Sequence, residues 1–399
     1  MATSLKDSPS LARFLDSAAD ELKQLQSAGL YRKLTPLETV AGAEACIEGK
    51  QVVNWCSNDY LGLSQHPKVI DAAIKAARQA GIGARASRLL SGNTKYHQAL
   101  EQRLAAWFGS EGAVVYPSGY QANSGALGAL LSAGDIVFVD RLAHASLLDA
   151  VRATQATFRV FRHNDAGHLE QLLSRSKKAR RRWVVSEGVF SMDGDCAPLA
   201  DLLRVCEKQD AVFYLDDAHG AFVCGKTGRG SPELSKVKTN RLIYMATLGK
   251  ALGCQGGFVA GPKILIDYLL NKSRSFIYST ALAAPVAASA FAAIGVVENE
   301  PQRRLHVQAL SRQIHQALVG MKIKTAPKAS HILPVIVGDA QKTAQLTRHL
   351  WQQGLWAPAI RPPTVPENTA RLRLGITAAH TKEQAQALVG ALETAWAKI

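Results

Sequence analysis

Between Ala113 and Ala260, short β-rich runs alternate with helical stretches: Val114–Tyr116, Ile136–Val139, Phe158–Phe161, Trp183–Glu187, Val212–Asp216, Leu242–Met245 and Gly257–Ala260. Strands separated by helices predict an α/β fold with a mostly parallel, seven-stranded sheet and helices on both faces. In such sheets ligands gather beyond the carboxyl ends of the strands. Glu187, Asp216, His219, Thr247 and Lys250 all fall just after predicted strands. Beyond a helical stretch around residues 285 to 320 the pattern changes, with strands near Leu333–Val337 and Ala370–Leu374, so a smaller α+β unit is expected at the C-terminal end. Leu11, Phe14, Leu15, Ala18, Leu22 and Leu25 mark one face of an opening helix that Gly29 ends and that must pack on something outside itself. The expected division is an N-terminal helix and arm (1–57), a large domain (58–292) and a small C-terminal domain (293–399).

A chain of 399 residues with 47% apolar content can bury such a core. Its formal charge of +15 suits an acidic partner such as a phosphate-rich coenzyme, an acidic carrier protein or nucleic acid. The densest basic run, Arg175, Lys177, Lys178, Arg180, Arg181 and Arg182, reads as a solvated helix end and loop. It lacks the interleaved aromatics that single-stranded nucleic acid would stack on, and no nucleic-acid partner is expected. Cys46, Cys56, Cys196, Cys206, Cys224 and Cys254 include no C-x-x-C pair, so neither a zinc site nor a disulfide framework is indicated and a cytoplasmic protein is expected. Asp7, Asp16, Asp20 and Glu21 sit where a signal peptide would need an apolar core. Ala281–Val297 is apolar but short and contains Pro285, which favours a buried interdomain helix over a membrane span.

The chemistry gathers at the strand ends. Leu215-Asp216-Asp217-Ala-His219-Gly220 supplies a carboxylate and an imidazole, and Tyr244-Met-Ala-Thr247-Leu-Gly-Lys250 supplies a hydroxyl and an amine. Together these suit pyridoxal phosphate: Lys250 to condense with the aldehyde, Asp216 to keep the pyridine nitrogen protonated, and His219 to donate to the ring oxygen. Small neighbours, Gly249, Ala251 and Gly253, allow close approach to Lys250, and burial would favour its neutral amine. Pro117-Ser118-Gly119-Tyr120 follows a strand and opens a helix, so its amides and Ser118 can cradle a phosphate, with Thr247 and Ser279-Thr280 adding hydroxyls. A plain strand-to-helix turn would look similar. His144 is placed to stack on the ring face, although a lone histidine is more often a satisfied core residue. The Asp-x-x-His pair lacks a third metal ligand at suitable spacing, so no metal is expected. Gly249-Lys250 is no phosphate-binding P-loop, since Tyr244 stands where the first glycine belongs and Ala251 replaces the hydroxyl residue. Gly81-Ile-Gly83-Ala-Arg-Ala86 follows a helical stretch rather than a strand and is discounted as a dinucleotide site.

These motifs, with Asn54-Trp-Cys-Ser-Asn58-Asp-Tyr-Leu-Gly, Ala86-Ser-Arg-Leu-Leu-Ser-Gly92, Ser186-Glu-Gly-Val-Phe-Ser191 and Ile360-Arg361-Pro-Pro-Thr-Val-Pro366, resemble the α-oxoamine synthases, pyridoxal-phosphate enzymes of fold type I. The resemblance runs from about Trp55 to Ala379. The segments 86–92 and 360–366 are most similar to the branch that condenses L-alanine with a pimeloyl thioester, pimeloyl-CoA or pimeloyl-acyl carrier protein, in biotin formation. The resemblance implies a homodimer in which Thr280 reaches the neighbouring subunit's phosphate. It further implies that Arg361 clamps the amino-acid carboxylate, that Asn58 and Ser191 orient substrate and cofactor oxygens, that Glu187 lies near the ring, and that Arg32 meets the acyl chain or its carrier. Lys250 would also take the α-proton as general base, with His144, Asp216 and His219 as its catalytic partners. A sister enzyme acting on glycine or serine is the near alternative, and a non-catalytic cofactor-binding protein is the distant one.

Overall fold

The computed structural model describes residues 9–28, 30–238 and 241–398. The chain enters through the helix Pro9–Ser27 and three short strands, β1 (Thr39–Ala41), β2 (Glu44–Ile47) and β3 (Lys50–Asn54). The seven expected runs follow as β4 (Gly112–Tyr116), β5 (Ile136–Asp140), β6 (Thr157–Phe161), β7 (Arg182–Glu187), β8 (Val212–Asp216), β9 (Leu242–Thr247) and β10 (Gly257–Gly261). They form one sheet in the order β4-β10-β9-β8-β7-β5-β6, in which β10 alone runs antiparallel to its neighbours.

Side chains alternate across this sheet because the strand period is two. Phe138, Phe213, Leu215 and Phe258 feed the core on one face, whereas Val137, Val139, Tyr214 and Val259 feed the other. Each such aromatic or branched side chain contributes roughly 1.5–3 kcal/mol on burial. The second face is covered by the helices Gly119–Leu130, Ala145–Arg152 and Lys263–Lys272. The first merges into the C-terminal unit, where β11 (Ile332–Gly338), β12 (Leu355–Trp356), β13 (Ala359–Ile360) and β14 (Ala370–Gly375) follow. β11, β14 and β13 make a three-stranded antiparallel sheet, so both strands expected there are present.

The structure adds features that the sequence pattern did not give. β1, β2 and β3 form a four-stranded sheet with β12, which pairs in parallel with β3 and ties the N-terminal arm to the C-terminal unit. The helical stretch around 285 to 320 is two helices, Ala284–Asn299 and Pro301–Gly320, because proline disfavours helical geometry at the preceding Glu300, whose φ is −123° and ψ 59°. The first packs on the helices Pro67–Ala80 and Lys95–Phe108, and no described helix is long and apolar enough to cross a membrane. Gly29 lies outside the described residues. The opening helix ends at Ser27 with Phe14, Leu15, Leu22 and Leu25 exposed, so its apolar face is uncovered in the single chain.

The basic run is mostly exposed, with Arg182 half-buried, but two of its exposed arginines also bind within the chain. Arg180 and Arg181 donate from Nε to the buried Asp135 carboxylate at 3.0 and 3.1 Å, joining the entry of β5 to the start of β7. Arg175, Lys177 and Lys178 remain exposed. All six cysteines are free thiols, and the described residues hold no cluster of His, Cys, Asp and Glu suited to a metal.

Candidate active site

A cavity of about 200 Å³ opens at the carboxyl ends of the central strands, lined among others by Gly119, Tyr120, His144, Glu187, Asp216, His219, Thr247 and Lys250. Each arrives for a local reason. β8 ends at Asp216, and the tight turn after it carries His219. β9 ends at Thr247, and the turn to Gly253 brings Lys250 back over the sheet. Ser118 caps the helix Gly119–Leu130 by accepting from the Gln121 amide at 3.1 Å, which leaves the first amides of that helix aimed outward with no intrahelical acceptor. Gly257 makes the close fit: a Cβ there would lie 2.7 Å from Gly119 Cα and 2.8 Å from the Ser118 carbonyl oxygen, so β10 approaches the helix start too closely for a side chain.

Lys250 Nζ lies 2.7 Å from His219 Nε2. Burial pulls the Lys250 pKa down to about 8, against the opposing charges of Asp216 and Glu187. At pH 7 roughly a tenth of the amine is then uncharged and nucleophilic, against well under about a thousandth at the ordinary lysine value. Burial also holds His219 well below the usual histidine range, with the nearby Lys250 and Arg373 charges adding to it. Glu187 is pushed well above the ordinary carboxylate range by burial and by Asp216, and its Oε1 accepts from the His144 amide at 2.7 Å. His144 is lowered by burial. It accepts the Ser146 amide at Nδ1 (3.2 Å), which fixes the remaining ring proton on Nε2.

Several residues at the site were not singled out from sequence. Asn123 Nδ2 donates to Asp216 Oδ2 at 2.7 Å and to Ser146 Oγ at 2.9 Å, while Tyr214 donates to its Oδ1 at 3.0 Å. With the Ala218 amide on Asp216 Oδ1 at 2.9 Å, the carboxylate is fixed at both oxygens. Tyr60, fully buried, touches His219 Nδ1 at 2.7 Å and Asn58 Oδ1 at 3.0 Å, and it accepts from Arg373 Nη2 at 3.1 Å. Its single hydroxyl proton can serve only one of the first two. Donation along the shorter contact leaves the His219 proton on Nε2, facing Lys250. Asn123 lies one helical turn after Gly119, and Arg373 alternates with leucines on a buried strand; both signals were readable. Asp217, also buried, is raised to about 7 by burial despite accepting from Ser231 and Tyr244, and a side chain at Gly188, Gly220 or Gly230 would collide with it.

Thr247 and Tyr120, on the cavity wall, are engaged within the chain, and the remaining expected residues lie off that wall. Thr247 Oγ1 donates to the Gly256 carbonyl at 2.7 Å, so its proton is engaged within the chain. Tyr120 is exposed and donates to Asp149 at 2.8 Å. Ser191 offers its carbonyl to Arg373 Nε at 2.5 Å. Arg361 is half-buried in the loop after β13, and Arg32 donates to Thr364 of that same loop at 3.3 Å. Thr280 is exposed on the single chain, beside Ser279, which accepts from Gln121 at 3.0 Å.

The donor set fits pyridoxal phosphate: an amine of lowered pKa, a carboxylate held at both oxygens, an imidazole donor and a helix N-terminus meet in one cavity. The sequence profile described as aminotransferase class I and II matches residues 50–392. The chain is 44% identical over 378 residues to the 8-amino-7-oxononanoate synthase of Methylobacillus flagellatus, spanning 95% of both proteins. A solved serine palmitoyltransferase with a PLP internal aldimine superposes with a TM-score of 0.91 at 31% identity, over 97% of this chain and 98% of that one. The 8-amino-7-oxononanoate synthase of Francisella tularensis superposes with a TM-score of 0.76 at 25% identity, over 87% and 99%.

Proposed function

The chain belongs to the aminotransferase class I and II family, and from that premise we propose that it condenses L-alanine with a pimeloyl thioester to give 8-amino-7-oxononanoate, carbon dioxide and the free thiol of CoA or acyl carrier protein. Its cofactor is pyridoxal phosphate, and it is an enzyme of the acyltransferase kind. The observation that carries the reading is the Lys250 amine, 2.7 Å from His219 and drawn to a pKa of about 8. The 44% identity over 95% of the chain supports the choice of branch.

When bound, the cofactor supplies an aldehyde for amines and a protonated ring that draws electrons from the amino-acid α-carbon. Asp216, oriented by Asn123 and the Ala218 amide, holds the ring-nitrogen proton. His219, oriented by Tyr60, donates from Nε2 to the ring oxygen. His144, fixed by Ser146, covers one face, with Glu187 behind its amide. The amides of Gly119 and Tyr120, with the Ser118 hydroxyl, would bind the phosphate, Thr247 joining them once its hydroxyl turns from the Gly256 carbonyl, and Ser191 would orient cofactor and substrate oxygens through the Arg373 contact. Lys250 Nζ, when free, would be the base for the α-proton and would later return it. Arg361 clamps the alanine carboxylate in bidentate fashion, Asn58 orients it, and Arg32 meets the acyl chain or its carrier. Two copies complete the site, with Thr280 reaching the other copy's phosphate. The uncovered face of the opening helix, together with exposed Leu89, Leu90 and Tyr278, supports a surface that a second copy covers.

One observation favours a sister enzyme, the TM-score of 0.91 with a serine palmitoyltransferase. Backbone likeness is weak evidence for which amino acid is used, because sites are grafted onto shared folds. The deciding experiment supplies purified enzyme with pimeloyl-CoA or pimeloyl-acyl carrier protein and each of L-alanine, glycine and L-serine, and identifies products by mass. Alanine-dependent 8-amino-7-oxononanoate, abolished in Lys250→Ala, is expected; a glycine or serine product would move the function to a sister enzyme.

A further inference from the structure

A second and larger cavity, about 800 Å³, lies between the loop that follows His219 and the helix Pro301–Gly320. Its volume is within the roughly 300–1,000 Å³ range of small-molecule sites. Val223 and Val307 line it, with Leu234 and Leu305 exposed at its mouth. Two of its polar side chains are more than nine-tenths buried and have unpartnered atoms: His331 Nε2 and Ser311 Oγ. Burial, with the nearby Arg373 charge, holds the His331 pKa down to about 3, so the ring is neutral and has one N–H. The nearby His219 backbone favours a proton on the ring nitrogen that faces it. Nε2 is then a bare acceptor, and a group filling the cavity must bring it a donor.

The rim has the opposite requirement. Lys226, Lys236 and Arg312 line the cavity and are exposed. The one carboxylate on the wall, Glu233, is already held by the amides of Thr227 and Arg229, which keep its pKa below the usual range although burial raises it. Three cations thus face a single occupied carboxylate at the mouth of an apolar cleft. We propose that this cleft is a second ligand site, for an organic anion whose acidic end meets Arg312 and the two lysines and whose other end donates a hydrogen bond to His331. Its occupancy is felt at Lys250. His331 packs edge-on against Tyr60 with ring centroids 4.3 Å apart, and Tyr60 hydrogen-bonds His219, the neighbour of Lys250. A ligand that shifts the His331 ring therefore shifts the donor facing the lysine.

The test uses holoenzyme and three probes: 4-(4-hydroxyphenyl)butanoate, its methyl ether, which lacks the donor, and its primary amide, which lacks the charge. Calorimetry should give saturable binding of one hydroxyphenylbutanoate per protomer, weakened about tenfold or more by Arg312→Glu or Lys226→Glu and weaker for both altered probes. These exposed residues can be changed without disturbing the core. The visible band of lysine-linked cofactor should shift on saturation in the parent and not in Arg312→Glu at the same probe concentration. Absence of saturation at millimolar probe, binding indifferent to both charge reversals, or displacement by L-alanine with no dependence on Arg312 would overturn the site. Binding without a band shift would overturn its link to Lys250.

Discussion

Replacing Tyr60 with phenylalanine tests how the site sets the proton on His219. The hydroxyl has no solvent exposure and meets His219 Nδ1 at 2.7 Å, Asn58 Oδ1 at 3.0 Å and Arg373 Nη2 at 3.1 Å. Arg373 keeps its Nε bond to the Ser191 carbonyl, but its Nη2 loses an acceptor and His219 Nδ1 loses its donor. At roughly 1–3 kcal/mol per buried polar group left unpaired, Tyr60→Phe should cost about 2–4 kcal/mol of folding stability. Loss of the phenol also frees the His219 proton to leave Nε2. A donor there draws charge from the cofactor's ring oxygen and eases deprotonation of the Lys250 linkage. Its loss, worth about 1–1.5 kcal/mol, should raise the pKa of the visible band by about one unit and lower kcat more than it raises KM. The assay is a spectrophotometric pH titration of the holoenzyme beside the same titration of Asn58→Ala, which removes only the competing acceptor. A band unmoved in Tyr60→Phe, or moved equally in Asn58→Ala, would refute the tautomer argument.

Other substitutions probe the supports of the site. Gly257→Ala forces a methyl to within 2.7 Å of Gly119 Cα. Overpacking of this kind costs about 1–3 kcal/mol, and the variant should melt earlier and bind pyridoxal phosphate more weakly by equilibrium dialysis, with unchanged affinity counting against the cradle. His163 bridges Asp140 and Asp195 at 2.9 and 2.8 Å; burial alone would lower its pKa, but the two carboxylates raise it to about 10. A pKa raised on folding gives stability that is full below the unfolded value near 6.5 and is lost as pH rises through about 10. The difference in denaturant stability between parent and His163→Gln, about 1–2 kcal/mol after solvent screening, should therefore vanish above that range; a difference that persists there would contradict the linkage. Arg361→Ala should raise KM for alanine at least about tenfold and leave cofactor binding intact, and an unchanged KM would remove the clamp.

The large sheet was legible because its strands are continuous apolar runs buried on both faces and bounded by turns, as in Trp183-Val-Val-Ser-Glu187. The N-terminal sheet was not. β1 is fully exposed, β3 only partly buried, and their partner β12 lies some three hundred residues further along the chain, so no local period marks them. The break at Glu300 was signalled by Pro301 and passed over within a long helical pattern. At the site, strand-end residues such as Asp216, His219 and Lys250 announced themselves by chemistry and spacing, and the cavity brings them together. Tyr60 did not, because its meaning comes from contacts with His219 and Arg373, 159 and 313 positions away, that only the closed fold creates. Arg361 and Thr280 stand outside the cavity wall of the single chain, so their roles rest on the bound substrate and the second copy.

The central claim is that Lys250 carries pyridoxal phosphate in a site that accepts L-alanine. A visible-absorption titration of the reconstituted protein with L-alanine, glycine and L-serine in turn tests it most directly. The account predicts a lysine-dependent band that changes saturably and at the lowest concentration with alanine. A stronger response to glycine or serine would contradict the substrate assignment, and a colourless protein that cannot be reconstituted would contradict the site itself.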